Sequence, residues 1–194
     1  MKTLLAALLA VPLALPAVAQ TTVTNNETGE TIVIDGPPPE APLAISLFKH
    51  LNRASPDGKY ATRFEHTGDC LYRMVLQQDL DGGAKRETIT DFSVRDLTMD
   101  GYEERTYSPS IAELVLPFAE GTGQTATITL TGADDATLAN YRESLEMTCE
   151  GDVCSGAYPT PTLHLTILSD TAESDMGFAN MAMGALMNAC RPKE

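Results

Sequence analysis

The sequence predicts an α+β fold: an antiparallel sheet of about six to eight strands, covered on one face by an N-terminal and a C-terminal helix. Three observations carry this. Short stretches of alternating apolar and polar residues recur between Gly- and Asp-rich turns. Strands and helices do not alternate regularly, which argues against a parallel sheet with crossover helices. The two longest helical patterns lie at the two ends of the folded part, over residues 43–54 and from about Thr171 to Cys190.

The chain opens with features of an export signal. Lys2 precedes an apolar run from Leu4 to Leu15, broken only by Pro12, and Ala17-Val18-Ala19 forms a small-x-small cleavage site. The run falls short of the roughly 20 residues a membrane span needs, and Pro12 and Pro16 suit a buried helix poorly. Residues 1–19 are therefore expected to be removed between Ala19 and Gln20, giving a periplasmic or extracellular protein. Gln20, not Cys, follows the cut, which argues against a lipid anchor. Residues 20–42 form a polar arm, with Thr31-Ile32-Val33-Ile34 strand-like and Pro37-Pro38-Pro39 stiff and extended. Residues 43–194 make a single disulfide-braced domain.

Within that domain, Ala44, Leu47, Phe48 and Leu51 follow helical spacing, and Pro56-Asp57-Gly58 ends the segment. Tyr60 to His66 and Cys70 to Gln77 read as strands, with Cys70, Tyr72, Met74 and Leu76 on one face. Asp81-Gly82-Gly83 is a turn. Thr88 to Met99 is strand-like, but its apolar parity slips near Arg95-Asp96, which signals a bulge or break. Asp100-Gly101 is a hairpin signal, with Tyr102 to Tyr107 as the returning strand. Ala112, Leu114, Leu116 and Phe118 share another face. Gln124 to Thr131 alternates without a fault, as a half-buried strand does. Asp134 is placed to cap a short helix carrying Leu138 and Tyr141. Leu145, Met147 and Cys149 alternate, as do Leu163, Leu165 and Ile167 against Thr162, His164 and Thr166. In the last helix, Asp170 and Glu173 resemble a capping box, and Met176, Met183 and Met187 lie on the arc expected to face the sheet. Asn180, Gly184 and Asn188 interrupt the apolar run, so no membrane span is expected in the mature chain.

The four cysteines, Cys70, Cys149, Cys154 and Cys190, all lie in the exported part, which predicts two disulfides. A two-residue turn at Gly151-Asp152 would bring Cys149 opposite Cys154 in a tight hairpin, with Cα atoms about 4.5 Å apart. Cys70 and Cys190 then form the second bridge.

The chemistry is defined mainly by exclusion. A formal charge of −14 disfavours nucleic acid and anionic membrane surfaces as partners. His50, His66 and His164 lack a second ligand at metal spacing. Cys149 and Cys154 lack a second thiolate pair nearby in sequence. Met176, Met181, Met183 and Met187 could suit soft copper(I) but are better explained as core filling. Asp79-Leu80-Asp81-Gly82 lacks the later ligands of a calcium loop. Serine-nucleophile and phosphate-loop motifs are absent. No catalytic residue, metal or cofactor is assigned. The expectation is an exported, soluble, non-enzymatic binding, inhibitory or envelope-accessory module with an unknown protein or small-molecule partner. The alternative is a small hydrolase using two carboxylates about 5–10 Å apart.

N-terminal sequencing of the exported protein should begin at Gln20. An intact Met1 on a stably exported, soluble product would refute the cleavage site.

Overall fold

The computed structural model describes residues 20–24, 31–35, 47 and 49–191. The expected signal, residues 1–19, lies outside the described residues, as do residues 25–30 and 36–46 of the arm and the segment after it. In the arm, β1 (Gln20–Thr24) and β2 (Thr31–Asp35) form an antiparallel hairpin with Gln20 opposite Asp35.

The helix expected over 43–54 is not seen as an element. Residues 43–46 and 48 lie outside the described residues, and only Leu47 and Lys49 to Leu51 are helical. From Asn52 onward, neighbouring backbone competes for the chain. The Asn52 side chain accepts from the Phe64 N–H, the Thr62 N–H donates to the Arg53 carbonyl at 2.8 Å, and Ala54 bridges Ala61. From Asn52 the chain therefore runs beside a strand.

That strand is β3 (Tyr60–Gly68). It begins a six-stranded antiparallel sheet with β4 (Leu71–Asp79), β5 (Lys85–Ser93), β8 (Gln124–Thr131), β9 (Met147–Glu150) and β10 (Val153–Thr160), in the order β3-β4-β5-β8-β10-β9. A second sheet holds β6 (Glu103–Ser108), β7 (Ile111–Pro117) and β11 (Thr162–Leu168), in the order β11-β7-β6. The α+β class and the mostly antiparallel pairing match expectation, but the strands divide between two sheets. Three features cause the division. The parity slip near Arg95 is a 3-10 turn over Val94–Asp96, where the chain leaves the first sheet. Asp100-Gly101 is a turn, with Gly101 at φ +77°. It leads into β6, which pairs with β7 and not with β5. Pro161 lies between β10 and β11, and without an N–H it cannot continue a ladder; its carbonyl instead accepts from the Phe118 N–H at 2.9 Å.

Helix α1 (Asp135–Arg142) covers the far end of the larger sheet, and α2 (Ala172–Cys190) covers the smaller sheet. Asp134 caps α1 by accepting from the Thr137 N–H at 2.8 Å. At α2 the expected capping box gives way to a tertiary contact. Thr171 holds the cap position without a side-chain bond, and the Ala172 N–H donates to the Pro109 carbonyl in the β6–β7 turn at 3.3 Å. The principal core joins Met176, Ala179, Met183, Leu186 and Met187 of α2 to Ala112, Leu114 and Leu116 of β7, to Leu163, Leu165 and Ile167 of β11, and to Phe64, Tyr72 and Met74 of the larger sheet. A smaller cluster places Leu138 of α1 against Ile128, Leu130 and Cys154. The side of α2 turned away from the sheets leaves Phe178 and Met181 exposed.

Cys149 is bonded to Cys154 across the β9–β10 register, with Cα atoms 4.0 Å apart, closer than the sequence suggested. Gly156, two residues further along β10, sits where a larger residue would crowd the edge strand. A Cβ there would lie 2.7 Å from Met147 Sδ and 3.0 Å from the Glu146 carbonyl. Cys70, bonded to Cys190, falls in the β3–β4 turn, one residue before the strand it was expected to begin, with φ at +55°. Arg95 braces this corner, donating from Nη2 to Asp69 Oδ2 at 2.8 Å and from Nε to the Cys190 carbonyl at 3.0 Å.

The Cys70–Cys190 bond spans a sequence separation of 120, and a crosslink that long restricts the unfolded chain by about 5 kcal/mol. Cys190→Ser should lower the melting temperature sharply under oxidising conditions in a calorimetric scan. An unchanged melt would show that the bond does not brace the fold.

Candidate functional site

Antiparallel register and two-residue periodicity assemble the site. Along β5, Arg86, Thr88 and Thr90 project from one face. Pairing sets Met74, Thr90, Ala126 and Tyr158 in one row, and Leu76, Thr88, Ile128 and Gly156 in the next. Beyond the corner at Pro161, Thr162 and His164 share a face of β11, and Glu113 of β7 lies opposite Thr166 on that face. Residues of both sheets thus line one open cleft of about 200 Å³. It sits at the seam of the two hydrophobic clusters, since Met74 belongs to the larger and Ile128 to the smaller.

A hydrogen-bonded line of three groups crosses its second-sheet wall. Glu113 Oε2 lies 3.2 Å from His164 Nδ1, and His164 Nε2 lies 3.0 Å from Thr162 Oγ1. An ionised carboxylate only accepts, so Nδ1 carries the proton toward Glu113, and in the neutral ring Nε2 accepts from the Thr162 hydroxyl. Glu113 Oε2 also accepts from the Tyr107 hydroxyl at 2.9 Å, and Arg105 Nη1 stands 3.8 Å away. Burial pushes the Glu113 carboxyl up, but the hydrogen bond and charge of His164, the Tyr107 hydroxyl and the Arg105 charge outweigh it and hold the carboxyl below its ordinary value. Across the cleft, burial raises the Tyr158 phenol above its ordinary value, against the opposing charge of Arg86.

Of the three histidines, only His164 lines this cleft. His50 sits 3.4 Å from Asp175 Oδ1 of α2 and stacks on Phe178. Burial is the main reason its ring is held below its ordinary pKa, with Arg53 and Lys49 adding to the effect and Asp175 opposing it. His66 packs on Tyr72. Met176, Met183 and Met187 are buried while Met181 is exposed, so the four thioethers do not converge. All four cysteines are in disulfides. Asp81–Gly83 is a 3-10 turn. Among the described residues, no three of His, Cys, Asp and Glu form a metal-binding group, and no helix is long and apolar enough to cross a membrane.

Sequence reasoning missed Arg86, Glu113, Tyr158 and Thr162 as a group. The available signal was Glu113, an acid amid the apolar run Ile111 to Leu116. No family model, curated protein or solved structure matches the chain.

Because the folded value of Glu113 lies below its ordinary 4.5, its stabilisation is present above that pH and fades as the pH falls through the folded value. Glu113→Gln should therefore destabilise the protein by about 1 kcal/mol at neutral pH. The gap from the parent should close as the pH is taken below 4.5, as read from urea unfolding curves. A gap independent of pH would show that the ionised carboxylate plays no part.

Proposed function

We propose that the protein is an exported, non-enzymatic binding module that holds a small polar ligand in the cleft between its two sheets. The export reading draws support from the signal-like residues 1–19 and from two disulfides, which persist in oxidising compartments. The observation that carries the binding reading is the chemistry of the lining. A binding site combines an apolar floor with a few well-placed polar groups. Here Met74, Leu76 and Ile128 supply the floor, and the side chains of Arg86, Thr88, Tyr158, Thr160, Thr162 and His164 supply the polar groups.

A second reading is a hydrolase. Among the described residues, Glu113 is the one carboxylate lining the cleft, so a hydrolase would draw less on paired acids than on the Thr162–His164–Glu113 line, which has the order of hydroxyl, base and orienting acid that activated nucleophiles use. Hydrolysis of p-nitrophenyl acetate that disappears in Thr162→Val would favour it, and equal rates in the two proteins would leave the binding reading in place.

Amide resonances recorded with a panel of neutral sugars, sugar acids, amino acids and short peptides test the proposal. Perturbations should cluster on Thr88, Thr90, Ile128, Tyr158 and Thr160 to His164. A panel that leaves these resonances unmoved would overturn it.

A further inference from the structure

We infer that the cleft binds a hydroxylated carboxylate the size of a single sugar-acid residue, with Arg86 as the receptor for its carboxylate. The inference rests on the cleft being the binding site and adds the chemical class of what enters it.

Charge pairing and position together point to Arg86. Arg53 stands by Asp175, Arg63 by Glu65, Arg73 by Asp91, Arg95 by Asp69 and Arg105 by Glu103. Among the described arginines, Arg86, Arg142 and Arg191 have no carboxylate within ion-pair distance; Arg142 and Arg191 are exposed, and of the three only Arg86 lines the cleft. A guanidinium offers five N–H donors, and here Nη1 donates to the Tyr141 hydroxyl at 3.2 Å while the buried Nε has no partner. A buried N–H left unmade is costly, and a charged hydrogen bond is stronger than a neutral one. Arg86 is therefore a half-buried cation without a counter-charge at the wall of a cleft, and a carboxylate is the group whose charge and planar geometry match a guanidinium.

The rest of the lining selects what the carboxylate is attached to. From Arg86, the same face of β5 continues as Thr88 and Thr90, and the opposite wall adds Thr160 and Thr162. The Thr160 and Thr162 hydroxyls already donate within the protein, so Thr88 and Thr90 are the hydroxyls left to donate and accept toward a ligand bearing several hydroxyls of its own. Leu76 and Ile128 flank Thr88 in its row and offer an apolar surface for the C–H face of a ring. Tyr158 supplies an aromatic ring, the only one among the lining residues besides the His164 imidazole. Volume sets the size. At about 30 Å³ per water, 200 Å³ holds about seven waters, below the range of about 300–1,000 Å³ that takes drug-sized ligands. One pyranose acid fills such a space, and because the cleft is open at its surface, the acid could be free or the terminal residue of an acidic polysaccharide.

Titration calorimetry on the full-length exported protein decides the matter with four probes: galacturonate, its neutral twin galactose, acetate, and digalacturonate. Galacturonate should bind at least tenfold more tightly than galactose or acetate, and Arg86→Gln should remove that advantage. Equal affinity for galacturonate and galactose, or an advantage that survives Arg86→Gln, would overturn the assignment. If Arg86→Gln fails to fold, Thr88→Val serves in its place. It keeps the charge and removes a hydroxyl, so it should weaken both sugars and spare acetate; unchanged sugar affinity would overturn the assignment. Digalacturonate binding more tightly than the monomer supports a polymer end as the source, and weaker binding supports the free acid. Cleft resonances that move with neutral probes but give no preference for galacturonate would sink this inference alone. Resonances that move with no probe would sink the binding reading as well.

Discussion

The fold depends on one bent strand. Val153 to Leu168 is nearly continuous extended chain, but Pro161 interrupts its ladder. Before the proline the chain pairs with β8 and β9; after it, the chain pairs with β7. The corner is held on both sides of the proline. The Thr160 hydroxyl donates to the Thr162 carbonyl at 2.6 Å, and the Pro161 carbonyl accepts from Phe118. Because a single strand belongs to both sheets, the angle between them is set by local backbone geometry. The cleft is the space this angle opens, which explains why its walls come from residues far apart in sequence.

Electrostatics acts on two scales in this molecule. The chain as a whole carries a formal charge of −14, so anions approaching from solution are repelled over roughly a Debye length, about 8 Å at physiological salt. Inside the cleft, the nearest charges are a guanidinium on one wall and an acid on the other that is engaged by Tyr107, His164 and Arg105. Long-range repulsion and short-range attraction can coexist, since screening by salt weakens the first far more than the second. Net charge speaks to solubility and approach, while the identity of a ligand is decided within a few ångströms.

Much of the local structure was legible in the sequence. The strict alternation of Gln124 to Thr131 is β8, the reach of Asp134 to the first turn is the α1 cap, and the slipped parity before Met99 marks where β5 ends. Each is dictated within a few residues. The division into two sheets was not legible, because Asp100-Gly101 looks the same whether it closes a hairpin or carries the chain to another sheet. The cap of α2 was misread for a similar reason: Thr171, not Asp170, holds the cap position, and the neighbouring Ala172 N–H is satisfied by the Pro109 carbonyl, about 60 residues earlier in the chain. The candidate site was the least visible part. Thr88, Thr162 and Arg86 are ordinary surface residues in sequence, and only register and the corner at Pro161 bring them together.

Cys70 illustrates how two demands can lock one position. It occupies a left-handed backbone conformation, at φ +55°, where glycine and asparagine are the usual residues and any other side chain costs about 1 kcal/mol or more. It is also half of the crosslink to the end of α2. The residues that best suit the turn cannot make the bond, and the residue that makes the bond suits the turn poorly. Replacing either cysteine removes the bond and leaves the other as a lone thiol. Under reducing conditions, where the bond is absent, glycine or asparagine at position 70 would suit the turn better than cysteine does.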